Sequence, residues 1–235
     1  MQKNSIIIGG TSGIGLVTAQ YLHDKGYDVI VGSRKRTPSI ENLNYEEIDV
    51  TSEQSVKLFF SSLKVNKIDS IIYSAGTTTS KKSVEDFNVK EYLRVHDVNI
   101  LGALLTLKYA YPLLKKAQGR VVIINSIAAR TYSKFSGVEY TITKSGLSGM
   151  VKQLAIEWAN DNVLINSIFP SMADTPMLRK NVDQTVLEPI ENEIPLKRIA
   201  KPLEIASAIE FLISENNTYM TGSGLDINGG QYLNG

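Results

Sequence analysis

Short, nearly unbroken apolar runs alternate with longer amphipathic stretches along the chain, and this alternation constrains the fold most. Val121–Ile124 is typical, because four apolar residues in succession suit a strand that is buried on both faces of a parallel sheet. The candidate strands are Ser5–Ile8, Val29–Val31, Tyr45–Ile48, Ser70–Tyr73, Arg120–Asn125, Val163–Phe169 and Gly224–Ile227. Repeated strand–helix units predict an α/β fold, a doubly wound seven-stranded parallel sheet of Rossmann type with helices on both faces.

The stretches between these strands have the sequence patterns of helices. The first predicted helix ends at Gly26, because glycine suits the left-handed position after a helix. The second begins with Thr51-x-x-Gln54, which predicts a capping box, and a third pattern runs from about Val84 to Lys116. The predicted core-facing residues are Ile14, Val17 and Tyr21, then Val56, Phe59, Phe60 and Leu63, and finally Leu147, Val151, Leu154 and Trp158.

Length and composition narrow the class of protein. A chain of 235 residues fits one domain spanning residues 1–235, and 25 basic against 24 acidic residues give a net charge of +1, which predicts binding to neither nucleic acid nor membrane. There is no Cys, and His23 and His96 lie far apart, so no metal site is expected. No apolar run approaches the roughly 20 residues of a membrane span, and the start does not resemble a signal peptide, so we expect a cytoplasmic protein.

A glycine-rich turn follows the first strand and opens a helix. Glycine allows the backbone to approach a phosphate closely, and the free N–H groups of a helix start bind anions. The predicted nucleotide-binding residues are Gly9, Thr11, Ser12, Gly13, Ile14 and Gly15. The spacing is not that of the G-x-G-x-x-G fingerprint, because Thr18 occupies the last Gly position, and no Lys-Ser/Thr pair makes it a Walker A loop. The alternative is that this glycine-rich turn only connects the strand tightly to the helix and binds no nucleotide.

The end of the second strand bears on the choice of dinucleotide. An NAD-binding fold usually places an acidic residue there to bind the ribose, whereas this chain has Ser33 followed by Arg34, Lys35 and Arg36. A guanidinium binds a 2′-phosphate in a bidentate manner. The sequence therefore predicts NADP(H) in preference to NAD(H), with Ser33 and Arg34 as contacts, while Lys35 and Arg36 also fit a solvated turn.

Tyr140 and Lys144 are four residues apart, which places both side chains on one face of a helix. An ammonium about 4 Å from a phenolate contributes roughly 4 kcal/mol at an effective dielectric constant of about 20. That energy predicts a Tyr140 pKa lowered by up to about three units, and hence proton exchange near neutral pH. By itself, the spacing also occurs by chance in many helices.

Together with Asn99 and Ser126, these features resemble the short-chain dehydrogenase/reductase family, in its short single-domain branch, over essentially the whole chain. The matched positions are Gly9, Gly13 and Gly15; Asp49 and Val50; Ala75 and Gly76; Asn99; Ser126; Tyr140 and Lys144; Pro170 and Thr175; and Asn228–Gly230. Several weak motifs in one fixed order form a specific signal.

The resemblance implies an NADP(H)-dependent oxidoreductase that interconverts a ketone or aldehyde and an alcohol by hydride transfer. The implied catalytic residues are Asn99, Ser126, Tyr140 and Lys144. Ser126 would donate a hydrogen bond to the substrate oxygen, Tyr140 would exchange its proton with that oxygen, and Asn99 would bend its helix and hold a relay water. The implied cofactor contacts beyond the glycine turn and the second strand are Asp49, Val50, Ala75, Gly76, Tyr140, Lys144, Pro170 and Thr175. The partners implied are a small carbonyl or alcohol substrate and further copies in a homotetramer or homodimer.

The chain also departs from the family pattern. Ile8 replaces a Thr, Tyr73 and Ser74 replace paired Asn, and Ser171 replaces a Gly. Ser126 lies fourteen residues before Tyr140, where thirteen is usual in the family. One inserted residue keeps Ser126 as the counterpart, whereas aligning Ile127 instead would leave the site without a hydroxyl.

Other functions remain open at this point. The same fold could serve a non-catalytic NADP(H) sensor, although a sensor needs no tuned phenol, and a nucleotide-sugar epimerase would need a larger C-terminal substrate domain. The polar segment Met172–Ile194 is expected to be a mobile excursion that covers the ligand, with a plain surface loop as the alternative. Its candidate pocket residues are Met172, Met177, Leu178, Val186 and Leu187.

Overall fold

The computed structural model describes residues 2–183 and 187–233, so Val186 lies outside the described residues. All seven strands join one parallel sheet in the order β3-β2-β1-β4-β5-β6-β7, which confirms the predicted fold. The strands are β1 Asn4–Ile8, β2 Asp28–Ser33, β3 Asn44–Glu47, β4 Ser70–Tyr73, β5 Arg120–Ile124, β6 Leu164–Pro170 and β7 Gly224–Ile227. The strand order changes direction between β1 and β4, and in open α/β sheets ligands bind at such a point.

Helices cover both faces of the sheet. They are α1 Gly13–Asp24, α2 Glu53–Ser62, α3 Val89–His96, α4 Gly102–Ala117, α5 Val138–Trp158, α6 Pro176–Asn181, α7 Leu187–Glu193 and α8 Pro202–Ile213. A hydrophobic core lies on each face of the sheet, and successive residues of a central strand point into opposite cores. In β1, Ile6 and Ile8 pack with α2, α4 and α5, whereas Ile7 packs with α1 and α8. This two-sided burial explains why the strands read as continuous apolar runs.

The first helix buries residues beside the predicted stripe most deeply. Ile14, Val17 and Tyr21 are half-buried, with Ile14 and Tyr21 packed against the core, and the fully buried residues are Gly15, Thr18, Ala19 and Leu22. Small side chains let this helix approach the sheet and α8 closely. A search for periodic apolar residues overlooks them, because glycine, threonine and alanine are only weakly hydrophobic. The predicted end is correct, because Gly26 has φ +86° and the N–H of Tyr27 donates to the Leu22 carbonyl.

The capping box predicted from Thr51 and Gln54 is wrong by one residue. Ser52 is the N-cap of α2, and its hydroxyl accepts a hydrogen bond from the N–H of Ser55. Thr51 instead donates both its N–H and its hydroxyl to Oδ1 of Asp49, at 2.9 and 2.7 Å.

The long helical pattern between residues 84 and 116 is divided into parts. A short 3₁₀ turn at Val84–Asp86 precedes α3, and a π-helical turn at Asp97–Leu101 joins α3 to α4. A π-turn displaces the backbone hydrogen bonds by one residue. The hydroxyl of Tyr73, at the end of β4, donates a 2.6 Å hydrogen bond to the Val98 carbonyl within this turn. The Tyr that departs from the family pattern thus supports the turn that carries Asn99.

The segment from Met172 to Ile194 is largely helical in its described part, and is not a plain surface loop. It contains α6 and α7, and Ala173, Val182, Ile190 and Ile194 are buried. Within residues 2–183 and 187–233, no helix combines the length and the hydropathy that crossing a bilayer requires.

The Tyr73 hydrogen bond gives a prediction about stability. In Tyr73→Phe the half-buried Val98 carbonyl loses the hydrogen bond from the Tyr73 hydroxyl, so we expect the free energy of unfolding to fall by about 1 kcal/mol in urea denaturation. The control is Tyr219→Phe, because Tyr219 is 98% exposed. Equal stability of Tyr73→Phe and Tyr219→Phe would show that the hydroxyl does not support the π-turn.

Candidate active site

A cleft of about 830 Å³ lies over the carboxyl ends of β1, β2 and β4, where the strand order changes. We call it the dinucleotide cleft. The predicted cofactor residues that line it are Gly9, Thr11, Ser12, Gly13, Ile14, Ser33, Arg34, Asp49, Val50, Ala75, Gly76 and Thr175. The fold therefore brings predicted cofactor residues that are far apart in the sequence together in the dinucleotide cleft.

The glycine turn is fixed by backbone proximity. Gly9 has φ +86°, and a Cβ there would lie 2.5 Å from the backbone nitrogen of Ala75. Gly13 has φ +56°, and a Cβ there would lie 3.5 Å from the Thr175 methyl group across the cleft. Gly15 does not line the cleft, because a Cβ at this position would lie 2.3 Å from the Gly9 carbonyl oxygen. The absence of a side chain at Gly15 therefore lets α1 pack closely on the turn, and a direct contact of Gly15 with the cofactor stays a prediction.

The basic residues after β2 separate by position. Arg34 and Lys35 are exposed and line the dinucleotide cleft, whereas Arg36 donates to the Glu41 carbonyl and is absent from its lining. Asp49 lines the same end of the cleft. The Thr51 hydroxyl and N–H hold the pKa of the Asp49 carboxyl below its usual value, with a smaller contribution from Arg34.

A second cavity, of about 440 Å³, adjoins the cleft and contains Ser126, Tyr140, Lys144 and Pro170. We call it the catalytic cavity. It shares five lining residues with the dinucleotide cleft: Ile14, Ser74, Gly76, Thr175 and Met177. The two cavities therefore meet, so a molecule in the catalytic cavity would lie beside one end of a ligand in the cleft.

Lys144 is held at the end of β5. Its Nζ donates a 2.8 Å hydrogen bond to the Ile124 carbonyl and lies 5.6 Å from the centre of the Tyr140 ring. Burial disfavours the ammonium and lowers the Lys144 pKa from 10.5 to about 8.

The expected lowering of the Tyr140 pKa is wrong for this structure. Burial of the phenol raises the pKa of Tyr140 above its usual 10.0, and the nearby Ser126 hydroxyl opposes that rise only in part. Desolvation penalises a phenolate as it penalises an ammonium, so burial shifts both pKa values toward the neutral forms, although a lysine with a pKa of about 8 still carries its charge at pH 7. Helical spacing reveals which side chains are neighbours, but it does not reveal how deeply they are buried.

The Ser126 hydroxyl lies near the Tyr140 phenol in the same cavity, which favours Ser126 over Ile127 as the residue at the catalytic position. Its position at the end of β5 is fixed by Asn125, whose Oδ1 accepts the Ser126 N–H at 2.9 Å. The Ser126 hydroxyl also accepts the N–H of Ala128 at 3.1 Å, as the N-cap of a short 3₁₀ turn.

Asn99 is buried and lines neither cavity. Its Oδ1 accepts the Thr77 N–H at 2.9 Å, and its Nδ2 donates to the Thr77 carbonyl and the Thr143 hydroxyl, each at 3.0 Å. The Thr143 hydroxyl donates in turn to the Tyr140 carbonyl at 2.9 Å. The expected helix distortion is present as the π-turn. Since both Nδ2 hydrogens are used, a relay water would have to donate to Oδ1.

Several site residues lie outside the sequence predictions. Ser74 lines both cavities, Thr37, Thr77 and Arg94 line the cleft, and Thr143 bridges Asn99 to the first turn of α5. Ser74 directly follows the last residue of β4, and Ser126 lies two residues after the end of β5. A search for polar residues at the carboxyl ends of strands would therefore have identified Ser74. No local pattern singles out Thr143, because its partner is 44 residues away.

The pKa of Lys144 gives a prediction about pH and stability. Between about pH 8 and pH 10.5 the unfolded chain binds more protons at this lysine than the folded chain, so stability rises with pH in that window. From about pH 7.5 to pH 9.5 we expect a gain of about 2 kcal/mol in the free energy of unfolding. Urea denaturation of Lys144→Met should lack this increment, and identical pH slopes in both proteins would contradict the burial of a charged lysine.

Known proteins share the sequence and the fold. A family model described as enoyl-(acyl carrier protein) reductase matches residues 9–231. The 3-oxoacyl-[acyl-carrier-protein] reductase FabG of Aquifex aeolicus (strain VF5) is 32% identical over 244 residues, which cover 98% of this chain and 97% of that protein. ElxO, solved with NADP bound, matches with a TM-score of 0.90 at 28% identity, covering 98% of this chain and 99% of that chain. The 3-ketoacyl-(acyl-carrier-protein) reductase from Brucella melitensis, solved with NADH, matches at 0.88 and 25% identity, covering 98% of each chain.

These matches span almost the whole sequence, and they agree with the strand order and with the two adjoining cavities. The chain therefore belongs to the short-chain dehydrogenase/reductase family and is a nicotinamide-dependent oxidoreductase that acts on a carbonyl or alcohol group.

Proposed function

We propose that this protein is an NADP(H)-dependent oxidoreductase that interconverts a ketone or aldehyde and its alcohol through Ser126, Tyr140, Lys144 and Asn99. One observation carries the proposal: the hydroxyls of Ser126 and Tyr140 line one cavity that adjoins the dinucleotide cleft, and they are near enough for Ser126 to lower the pKa of Tyr140. Two hydroxyl donors in the same part of a cavity suit a substrate oxygen on which negative charge develops.

The residues of the cleft fit a dinucleotide. Gly9 and Gly13 have positive φ, and the free N–H groups in the first turn of α1 would bind the pyrophosphate. Asp49 and Val50 would contact the adenine end, while Ala75, Gly76, Pro170 and Thr175 would hold the nicotinamide half. When bound, the dinucleotide supplies or accepts a hydride.

The preference for NADP(H) rests on charge at the end of β2. Ser33 stands where an acidic residue would repel a 2′-phosphate, and Arg34 and Lys35 line the cleft beside it. Within the described residues the Arg34 guanidinium forms no hydrogen bond to the protein, which leaves its fork available for a phosphate.

In reduction, Ser126 donates a hydrogen bond to the carbonyl oxygen and Tyr140 gives its proton to the developing alkoxide. The phenol of Tyr140 is protonated at neutral pH, which is the form that a general acid requires, and burial raises its pKa further above that range. As the phenol loses its proton, the Lys144 ammonium stabilises the phenolate that remains. Asn99 positions these groups through Thr77 and Thr143. In oxidation the same groups act in reverse.

The family resemblance extends the proposal to the assembly and the location. We propose that residues 1–235 form one domain, that copies of the chain associate as a homo-oligomer, and that the protein is cytoplasmic.

Removal of the Tyr140 hydroxyl tests the proton transfer. In Tyr140→Phe we expect turnover of ketones to fall by about 10³-fold or more, because the general acid is lost. NADPH should still bind, as measured by the change in its fluorescence on titration with protein. A variant that keeps most of its turnover would refute the assignment of the proton donor.

Charge reversal at Arg34 tests the choice of dinucleotide. In Arg34→Glu we expect NADPH to bind about 10- to 100-fold more weakly, because a charge-assisted phosphate contact is lost, while NADH binding changes much less. The matched control is Arg36→Glu, since Arg36 donates to the Glu41 carbonyl and does not line the cleft. Equal weakening of NADPH and NADH by Arg34→Glu would contradict a 2′-phosphate contact.

A further inference from the structure

We propose that the catalytic cavity selects compact, uncharged carbonyl compounds and their alcohols, and that an ion pair in its wall, Lys134–Glu193, disfavours substrates that carry a carboxylate. The proposal rests on the proposed function, because it names the class of substrate that the same cavity would take. Glu193 lies in the segment Met172–Ile194, whose sequence predicts a cover over the ligand, and Lys134 lies in a loop that no sequence motif marks.

One of the two cations that line the cavity is already paired. Among the described residues that line it, the charged side chains are Lys134, Lys144 and Glu193. Lys134 forms an ion pair with Glu193, whereas Lys144 donates to the Ile124 carbonyl and lies beside Tyr140, where the substrate oxygen would bind. A carboxylate bound beside Lys134 would lose its hydration without gaining an unpaired cation there, and it would lie near the Glu193 carboxylate.

The remainder of the wall suits an apolar body with one polar end. The apolar residues Ile127, Phe135, Met172, Leu178 and Val182 line the cavity together with the hydroxyls of Ser126 and Tyr140. Its volume of about 440 Å³ lies toward the small end of the range of roughly 300–1,000 Å³ for ligand sites. Since part of the wall is shared with the dinucleotide cleft, the space left for a substrate favours a compact molecule.

The ion pair joins two segments that enclose this space. Lys134 lies in the loop between β5 and α5, and Glu193 is the last residue of α7. Their side chains are 38% and 53% exposed, and pairs so exposed add little to the stability of a fold. The pair therefore matters for the local charge: with Glu193 neutralised, Lys134 would become an unpartnered cation in the cavity wall.

Two substrates of equal shape and different charge test the proposal. We would compare 4-oxocyclohexanecarboxamide with 4-oxocyclohexanecarboxylate by NADPH oxidation, taking the ratio of the two kcat/KM values as the readout. The unmodified protein should favour the carboxamide by about tenfold or more. In Glu193→Gln the ratio should shift toward the carboxylate by about tenfold, because Lys134 is released.

Glu53→Gln is the matched control. Glu53 pairs with Lys108 on the surface and lines neither cavity, so its loss should leave the ratio unchanged. Equal or better use of the carboxylate by the unmodified protein would overturn the proposal, as would a ratio that Glu193→Gln does not shift or that Glu53→Gln shifts equally.

Failure of the proposed function has a different signature. If no carbonyl compound is reduced by the protein with NADPH, the catalytic assignment fails, and the selectivity is then decided by saturation-transfer NMR of the two ketones with the protein and NADPH. Tighter binding of the carboxamide would support the charge selection. Equal binding, tighter binding of the carboxylate, or binding of neither would overturn it.

Discussion

The carboxamide of Asn99 is the contact on which the catalytic edge depends. It bonds the N–H and the carbonyl of Thr77 and the hydroxyl of Thr143, and so joins the loop after β4, the π-turn and the helix α5. A Cβ at Gly76 would lie 3.7 Å from Asn99 Oδ1 and 3.8 Å from Lys144 Nζ, which shows how closely this loop lies against both groups. One buried amide thereby sets the floor of the dinucleotide cleft relative to the helix that carries Tyr140 and Lys144.

Burial then decides which protonation states these groups adopt. The phenol of Tyr140 and the amine of Lys144 both lie away from water, so the pKa of the first is raised and that of the second is lowered to about 8. A phenol that keeps its proton at neutral pH suits the reduction of a carbonyl group, in which the alkoxide formed is the stronger base. The lysine acts on the phenolate once the proton has left, at which point the interaction of opposite charges in a low dielectric is strong.

The sequence predicts most of the fold, because strands buried on both faces are visible as apolar runs whose register with their neighbours is regular. The sequence does not predict the buried face of α1, because small residues such as Gly15 and Ala19 form it. It misplaces the N-cap of α2, because the adjacent Thr51 and Ser52 are both suitable capping residues. It also gives the wrong direction for the pKa of Tyr140, because that pKa depends on how deeply the side chain is buried. Motifs predict the site residues that follow the strands, since parallel strands bring their carboxyl ends to one edge of the sheet. The sequence does not predict the role of Thr143 or the Tyr73–Val98 hydrogen bond, because long-range hydrogen bonds leave no local pattern.

The most direct test of this account is the rate of a single turnover of a bound ketone in Asn99→Ala, measured by stopped-flow absorbance with NADPH in excess and with folding verified by circular dichroism. If the amide positions Tyr140 and Lys144 against the dinucleotide cleft, the rate should fall by about 100-fold or more, as misplacement of reacting groups by about 1 Å is known to cause. A rate equal to that of the unmodified protein would show that the catalytic edge does not depend on Asn99, and would contradict the account.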